Sequence, residues 1–172
     1  MRNFFCIAFL AVVLLQTGCK KSTVSPYNFS KITVADNSCM YISEVDTTDW
    51  SYDAAWTTLE YNFINFKDSV VVTDSLTGYV QVAAPCPNPS EGVFIMGLNT
   101  ERQCMMRLAC VNTEMQILYY SVKKLTGGPI VTAYDFRSNT AFHKNENYRI
   151  YYGFYNSKDS LYYKGHGDFR IE

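Results

Sequence analysis

Val93-Phe94-Ile95-Met96-Gly97-Leu98-Asn99 and, after four intervening residues, Cys104-Met105-Met106-Arg107-Leu108-Ala109-Cys110-Val111-Asn112 decide the fold of this chain. In the first run Phe94, Met96 and Leu98 recur at every second position. In the second, Cys104, Met106, Leu108 and Cys110 do so, and Arg107 falls on the other set. Side chains alternate across a strand with period two, so each run reads as a strand with one apolar face. This places Cys104 and Cys110 toward the core and Arg107 toward solvent. The segment Tyr148–Tyr155 repeats the pattern, with Tyr148, Ile150, Tyr152 and Phe154 inward and Arg149, Tyr151 and Tyr155 outward. Two sheets closing over Phe94, Leu108, Ile150 and Phe154 make a core about 10 Å thick.

The same alternation predicts strands at Lys31–Val34, Met40–Val45, Ser69–Thr73, Gly78–Ala83, Gln116–Lys123, Ile130–Phe136, Leu161–Lys164 and Asp168–Ile171. Turn chemistry separates them: Asp36-Asn37-Ser38, Asp74-Ser75, Gly127-Gly128-Pro129 and Asn156-Ser157-Lys158-Asp159. Helical spacing occurs only in Tyr52–Phe63. Regular short strands with polar turns point to an all-β antiparallel sandwich with at most one short helix.

Composition agrees with a globular domain. The chain has 172 residues, 48% of them hydrophobic and 18% charged, which suits one packed domain rather than a disordered chain. The formal net charge of −1 excludes a strongly basic nucleic-acid binder. Tyr (14) and Phe (11) favour strands over helices.

The N-terminus carries an address. Met1-Arg2-Asn3 is a short positive start, and Phe4–Leu15 is an apolar run too short to remain as a membrane span. Gln16-Thr17-Gly18-Cys19 follows. This stretch resembles the lipobox of bacterial lipoproteins, with Gln16 where Leu is usual. The resemblance implies a signal peptide over 1–18 and lipidation of Cys19 as the mature N-terminus. Two or three acyl chains, at about 0.8 kcal/mol per buried methylene, anchor a protein stably. Residues 19–30 then form a tether and 31–172 a single sandwich domain. The Cys19-Lys20-Lys21 start resembles lipoproteins of Bacteroidetes. In that phylum, surface-exposed lipoproteins often carry acidic residues after the cysteine. The lysines here imply an outer-membrane anchor facing the periplasm.

With Cys6 in the signal peptide and Cys19 lipidated, Cys39, Cys86, Cys104 and Cys110 remain. An even count in an exported domain reads as two disulfides. Cys104 and Cys110 lie on one strand about 20 Å apart, beyond bridging distance. Each is therefore expected to pair with Cys39 or Cys86, or to stay free. No C-x-x-C pair occurs and the chain has only two His, so no metal site is expected.

Pro85-Cys86-Pro87-Asn88-Pro89-Ser90-Glu91-Gly92-Val93-Phe94 resembles the Pro-Asn-Pro opening of the immunoglobulin-like C-terminal sandwiches of Bacteroidetes secreted proteins. The resemblance implies an immunoglobulin-like β-sandwich entered at this motif. The chain ends Phe169-Arg170-Ile171-Glu172, without the basic end of the sorting versions, so the fold is implied and the sorting role is not.

Catalytic signatures are absent: there is no G-x-S-x-G, H-E-x-x-H, P-loop or dinucleotide fingerprint, and nothing calls for a cofactor. His143 and His166 are the only neutral-pH bases. In Gly165-His166-Gly167-Asp168, His166 and Asp168 share a strand face, so the carboxylate could orient the imidazole; a bulge or close-packed turn explains the glycines equally. Glu44, Asp46, Asp49 and Asp53 gather acids without EF-hand spacing and read as a solvated loop. Trp50 and Trp56, in the densest aromatic segment, offer sugar-stacking faces or core anchors. Tyr151 and Tyr155 are a second candidate platform, with an ordinary sheet face as the plainer reading. Asp46-Thr47-Thr48, Asp68-Ser69-Val70, Asp74-Ser75-Leu76 and Asp159-Ser160-Leu161 resemble the Bacteroidetes O-glycosylation acceptor, implying glycan at Thr47, Ser69, Ser75 or Ser160.

The leading reading is a lipid-anchored, non-catalytic interaction or structural module that docks on an envelope protein through an edge strand or loop. A glycan-binding module built on Trp50 and Trp56 is the alternative, and a hydrolase using His166 and Asp168 stands third.

Overall fold

The computed structural model describes residues 27–29, 31–43, 45–66, 69–74 and 77–172. The expected signal peptide over 1–18, Cys19, Glu44 and Ser75 lie outside the described residues. Among the described residues there are seven strands: β1 (Val80–Val82), β2 (Val93–Thr100), β3 (Cys104–Val111), β4 (Ile117–Leu125), β5 (Gly128–Asp135), β6 (Glu146–Tyr155) and β7 (Leu161–Ile171). They form two antiparallel sheets, ordered β1-β2-β5 and β4-β3-β6-β7. This is an immunoglobulin-like β-sandwich with its fourth strand beside the third rather than beside the fifth. Gly127 and Gly128, at φ 91° and 81°, carry the chain around the corner from β4 in one sheet to β5 in the other.

The inner core follows the alternation. Phe94, Met96, Leu98, Cys104, Met106, Leu108, Cys110, Tyr148, Ile150, Tyr152 and Phe154 are all buried in one cluster between the sheets. Phe94 packs against Phe169 at a ring separation of 4.9 Å, and Phe136 stacks on Phe142 at 4.2 Å.

The opposite face of the four-stranded sheet overturns an expectation. Every residue of β3 is buried, as are Arg149–Tyr155 of β6. The described residues between Tyr27 and Val72 supply a third layer across this face. Phe29, Trp56, Phe63, Ile64 and Val72 pack on Met105, Ala109, Val111, Tyr151 and Tyr155 in a second apolar cluster. Arg107 is thus enclosed rather than solvated: its guanidinium sits 4.2 Å from the Tyr155 ring and donates to Asp159 Oδ1 at 2.8 Å. Arg149, Tyr151 and Tyr155, placed outward from their alternation, are buried under the same layer.

That layer contains the helix α1 (Thr58–Ile64), shorter than the Tyr52–Phe63 span that the spacing suggests. A capping box sets its start: Thr57 Oγ1 accepts from the Glu60 amide, and Glu60 Oε2 accepts from the Thr57 amide. Such caps stabilise a helix start by about 1 kcal/mol. Upstream, the Asp53 amide donates to the Lys164 carbonyl, which pulls the chain along β7 instead of into a helix. Gly153 is the seat for α1, because a Cβ there would overlap the Ile64 side chain.

The expected strands at Lys31–Val34, Met40–Val45 and Ser69–Thr73 do not form. Ala35 makes single bridges to Tyr41 and Asn88, and the remainder is irregular. These segments cover a sheet face one side chain at a time, so they build no ladder of their own.

Cys39 and Cys86 form a disulfide with Cα atoms 5.1 Å apart. Cys104 and Cys110 are free and buried. The expected second bridge is absent among the described residues because β3 lies inside its sheet and aims both thiols into the core, away from the Cys39 loop.

Candidate functional site

The Pro-Asn-Pro turn is the clamp of the third layer. Asn88 is fully buried. Its Nδ2 donates to the Thr33 carbonyl at 2.8 Å and to the Asp168 carbonyl at 3.2 Å, while Oδ1 accepts from the Arg170 amide at 3.0 Å. Its backbone pairs with Ala35 in both directions. One side chain thus ties the N-terminal segment to β7.

A charged cluster completes the attachment. His166 and Asp168 share a face of β7, as the alternation requires, but they do not pair. Asp168 is held by Arg149, at 2.6 Å from Nε and 2.8 Å from Nη2. His166 Nδ1 lies 3.0 Å from Asp53 Oδ2, and its Nε2 lies 4.0 Å from Asp49 Oδ1. Asp49 Oδ2 accepts the Asp168 amide at 3.0 Å. Lys164 Nζ donates to the Asp53 carbonyl at 2.5 Å and stands 5.1 Å from the Trp56 ring. Glu60 accepts the Tyr151 hydroxyl at 3.1 Å.

Burial shapes the titration of this cluster. Desolvation, assisted by the Asp168 charge, pushes the Asp49 carboxyl up to about 7. Desolvation also raises Asp168, with Arg149 pulling the other way. Burial and the Arg149 charge hold the His166 imidazole below its usual value, opposed by Asp53. Each acid meets a partner from another segment, so the cluster is an internal staple between residues 49–60 and strands β6 and β7. Asp168 does not orient His166, because both of its oxygens are engaged by Arg149.

The described acids of the acidic loop, Asp46, Asp49 and Asp53, act one by one. Asp46 accepts the Thr48 amide and hydroxyl, Asp53 accepts the Ala55 amide, and Asp49 reaches β7. Among the described residues, no group of three or more His, Cys, Asp or Glu side chains is arranged to hold a metal ion.

Trp50 and Trp56 are each only 7% exposed, so neither offers a ring face to a sugar. Trp50 enters the inner core and stacks on Tyr152 at 6.3 Å, and Trp56 meets Tyr151 edge-on at 5.4 Å. The exposed-tryptophan platform is therefore corrected: the rings are walls of the two cores. Thr47, Ser69 and Ser160 are exposed, as an acceptor hydroxyl requires.

The open surface lies on the other side of the molecule. The free edge of β7 is occupied by the Trp50–Asp53 and Asn88–Ser90 segments, through bonds from Trp50 N to His166 O (2.7 Å) and from Ser90 N to Arg170 O (3.0 Å). β1, β4 and β5 are the sheet edges that remain, and β1 is only three residues long. β4 carries Lys123 and Lys124, the usual protection of an edge. β5 carries no charge from Gly128 to Tyr134, and Val131 on its outer face is 68% exposed. The paired positions Ile95–Ala133 and Gly97–Val131 make that face apolar and flat. Sequence reasoning named an edge in general; the strand order shows that the β5 edge is guarded by no charge from Gly128 to Tyr134, with Pro129 near its start as the blunting residue.

No helix among the described residues is long and apolar enough to cross a membrane. No family model matches the chain, and no curated protein matches it. Among solved structures it is similar to a β-glucuronidase from glycoside hydrolase family 2, at 13% identity and a TM-score of 0.33. The likeness covers 55% of this chain and 11% of that one, so the chain matches about a tenth of the enzyme's length.

Proposed function

We propose that this protein is a lipid-anchored component of a bacterial cell envelope, held through Cys19 at the outer membrane and facing the periplasm. There it acts as a non-catalytic module that binds another envelope protein by strand addition to β5. The observation that carries this reading is the state of the β5 edge. It is eight residues long, unpaired on its outer side among the described residues, uncharged from Gly128 to Tyr134, and beside an apolar face. An extended partner segment would bond to its main chain and lay alternate side chains over Val131 and Ile95. The Cys39–Cys86 disulfide supports an oxidising compartment.

The test is recovery of the tagged full chain from cross-linked native membranes, beside a Val131→Lys, Ala133→Lys variant. Both substituted positions are exposed, so the fold tolerates the change. One protein recovered in near-stoichiometric amount with the parent and lost with the variant supports strand addition at β5. Equal recovery with both removes β5 as the docking edge.

A further inference from the structure

One surface loop is built rigidly around apolar side chains that face outward. The Asp36 carboxylate accepts the amides of Ser38 and Met40, at 2.9 and 3.0 Å. The Asp36 amide donates to the Met40 carbonyl, and the Ile42 amide to the Val34 carbonyl. The Cys39–Cys86 disulfide fastens the loop to the Pro-Asn-Pro turn. The residues presented next are Met40, Tyr41 and Ile42, exposed by 65%, 49% and 64%. Three consecutive large hydrophobic side chains on a stapled loop call for a surface that covers them.

The position of the loop indicates which surface. Tyr27, where the described chain begins, lines a cleft of about 870 Å³ together with His143 and Asn145. Asn37, in the loop, lines a second cleft of about 640 Å³ with Lys144 and Glu172. The two segments therefore flank the same 143–145 turn, at the end of the sandwich where β6 begins and β7 finishes. Tyr27 follows Cys19 by eight positions, with seven residues between them. Fully extended, this stretch reaches roughly 30 Å, so a lipid on Cys19 keeps this end of the domain close to the bilayer. Charges of both signs surround the loop, including Lys31, Asp36, Lys144 and Glu172. The attraction is therefore apolar rather than electrostatic.

We infer that the Met40–Tyr41–Ile42 loop is a second membrane contact. It dips into the acyl boundary of the leaflet that holds the anchor, with Tyr41 at headgroup level. This rests on the lipid-anchored reading above. The contact would fix the orientation of the domain, so that β5 faces sideways along the membrane rather than into it.

The test uses the lipidated full chain in vesicles of phosphatidylethanolamine and phosphatidylglycerol, with and without brominated acyl chains. A Tyr41→Trp substitution adds a reporter, while Trp50 and Trp56 are buried away from any quencher. The expected result is a loss of emission from the Tyr41→Trp protein on brominated vesicles, no such loss from the parent, and no loss once Met40→Asp and Ile42→Asp are added. Equal emission on both lipids, or a loss that survives the two aspartates, overturns the inference. So does photo-crosslinking from position 42 to a protein instead of lipid. Intact mass separates the two readings. A mass without lipid on Cys19 brings down the anchor and the loop together; a lipidated mass with equal emission brings down the loop alone.

Discussion

The indole of Trp50 occupies the space that a side chain at Gly167 would fill. A Cβ built at Gly167 overlaps the ring, and one built at Gly165 overlaps the Ser51 carbonyl and the Tyr152 ring. The two glycines of Gly165-His166-Gly167-Asp168 therefore admit residues 50 and 51 over the edge of β7, where Trp50 reaches the inner core. Gly167→Ala is expected to lower unfolding free energy by about 1–3 kcal/mol, the range for overpacking a tight site. Denaturant titration followed by tryptophan emission reads both stability and the environment of Trp50. An unchanged midpoint and spectrum would remove Trp50 from its place against β7.

Asn88→Ala leaves the carbonyls of Thr33 and Asp168 and the amide of Arg170 without their side-chain partner. At about 1 kcal/mol for each bond, the expected loss is about 3 kcal/mol. The damage should be local first: limited proteolysis should cut near residues 31–35 sooner than in the parent. Parent-like cutting there would mean that Asn88 does not hold the N-terminal layer.

Asp49 gives the cluster a pH signature. Its folded carboxyl titrates near 7 and its unfolded one near 3.8. Between those values the folded state holds a proton that the unfolded state has released, so this group's contribution falls as pH rises from about 4 to 7. His166 works in the opposite sense. Its folded value is depressed below 6.5, so its contribution grows as pH rises toward 6.5. Asp49→Asn keeps an acceptor for the Asp168 amide and removes the first effect. The stability of the variant relative to the parent should therefore increase from pH 5 to pH 8, measured by urea unfolding. A difference that stays flat across that range would place Asp49 in a solvated site.

The thiols give a count. Cys104 and Cys110 are buried in the core, and burial raises both thiol values, Cys110 strongly. Maleimide labelling of the native domain should leave both unmodified, and unfolding without reductant should expose two. Breaking the Cys39–Cys86 bridge with Cys39→Ser should cost about 4 kcal/mol by the chain-entropy relation for a 47-residue separation. Labelling of a native core thiol, or no thiol after unfolding, would contradict this arrangement.

The sandwich was legible where two faces met. The runs that form β2, β3 and β6 each present period-2 hydrophobics to one core, and the inward sets that spacing assigns them are the buried ones. The outward sets were misread at Arg107, Arg149, Tyr151 and Tyr155, because alternation reports a difference between faces and not that the second face is wet. Nothing in residues 27–72 signals a covering layer, since irregular chain that buries Phe29, Trp56 and Val72 singly has no period. Gly165 and Gly167 look like a break, yet β7 runs unbroken from Leu161 to Ile171, because what fills the glycine positions comes from more than a hundred residues earlier. The His166–Asp168 proximity was visible in sequence; the Arg149 that claims Asp168 lies across a strand pairing and was not.

Site-specific photo-crosslinking in intact cells distinguishes β5 from the other sheet edges as the docking strand. A photoreactive side chain is placed in turn at Val131 on β5 and at Tyr120 on β4, both well exposed. A single discrete protein adduct from position 131, absent from position 120, is the expected result. No adduct from position 131, or the same adduct from both positions, would contradict strand addition at β5.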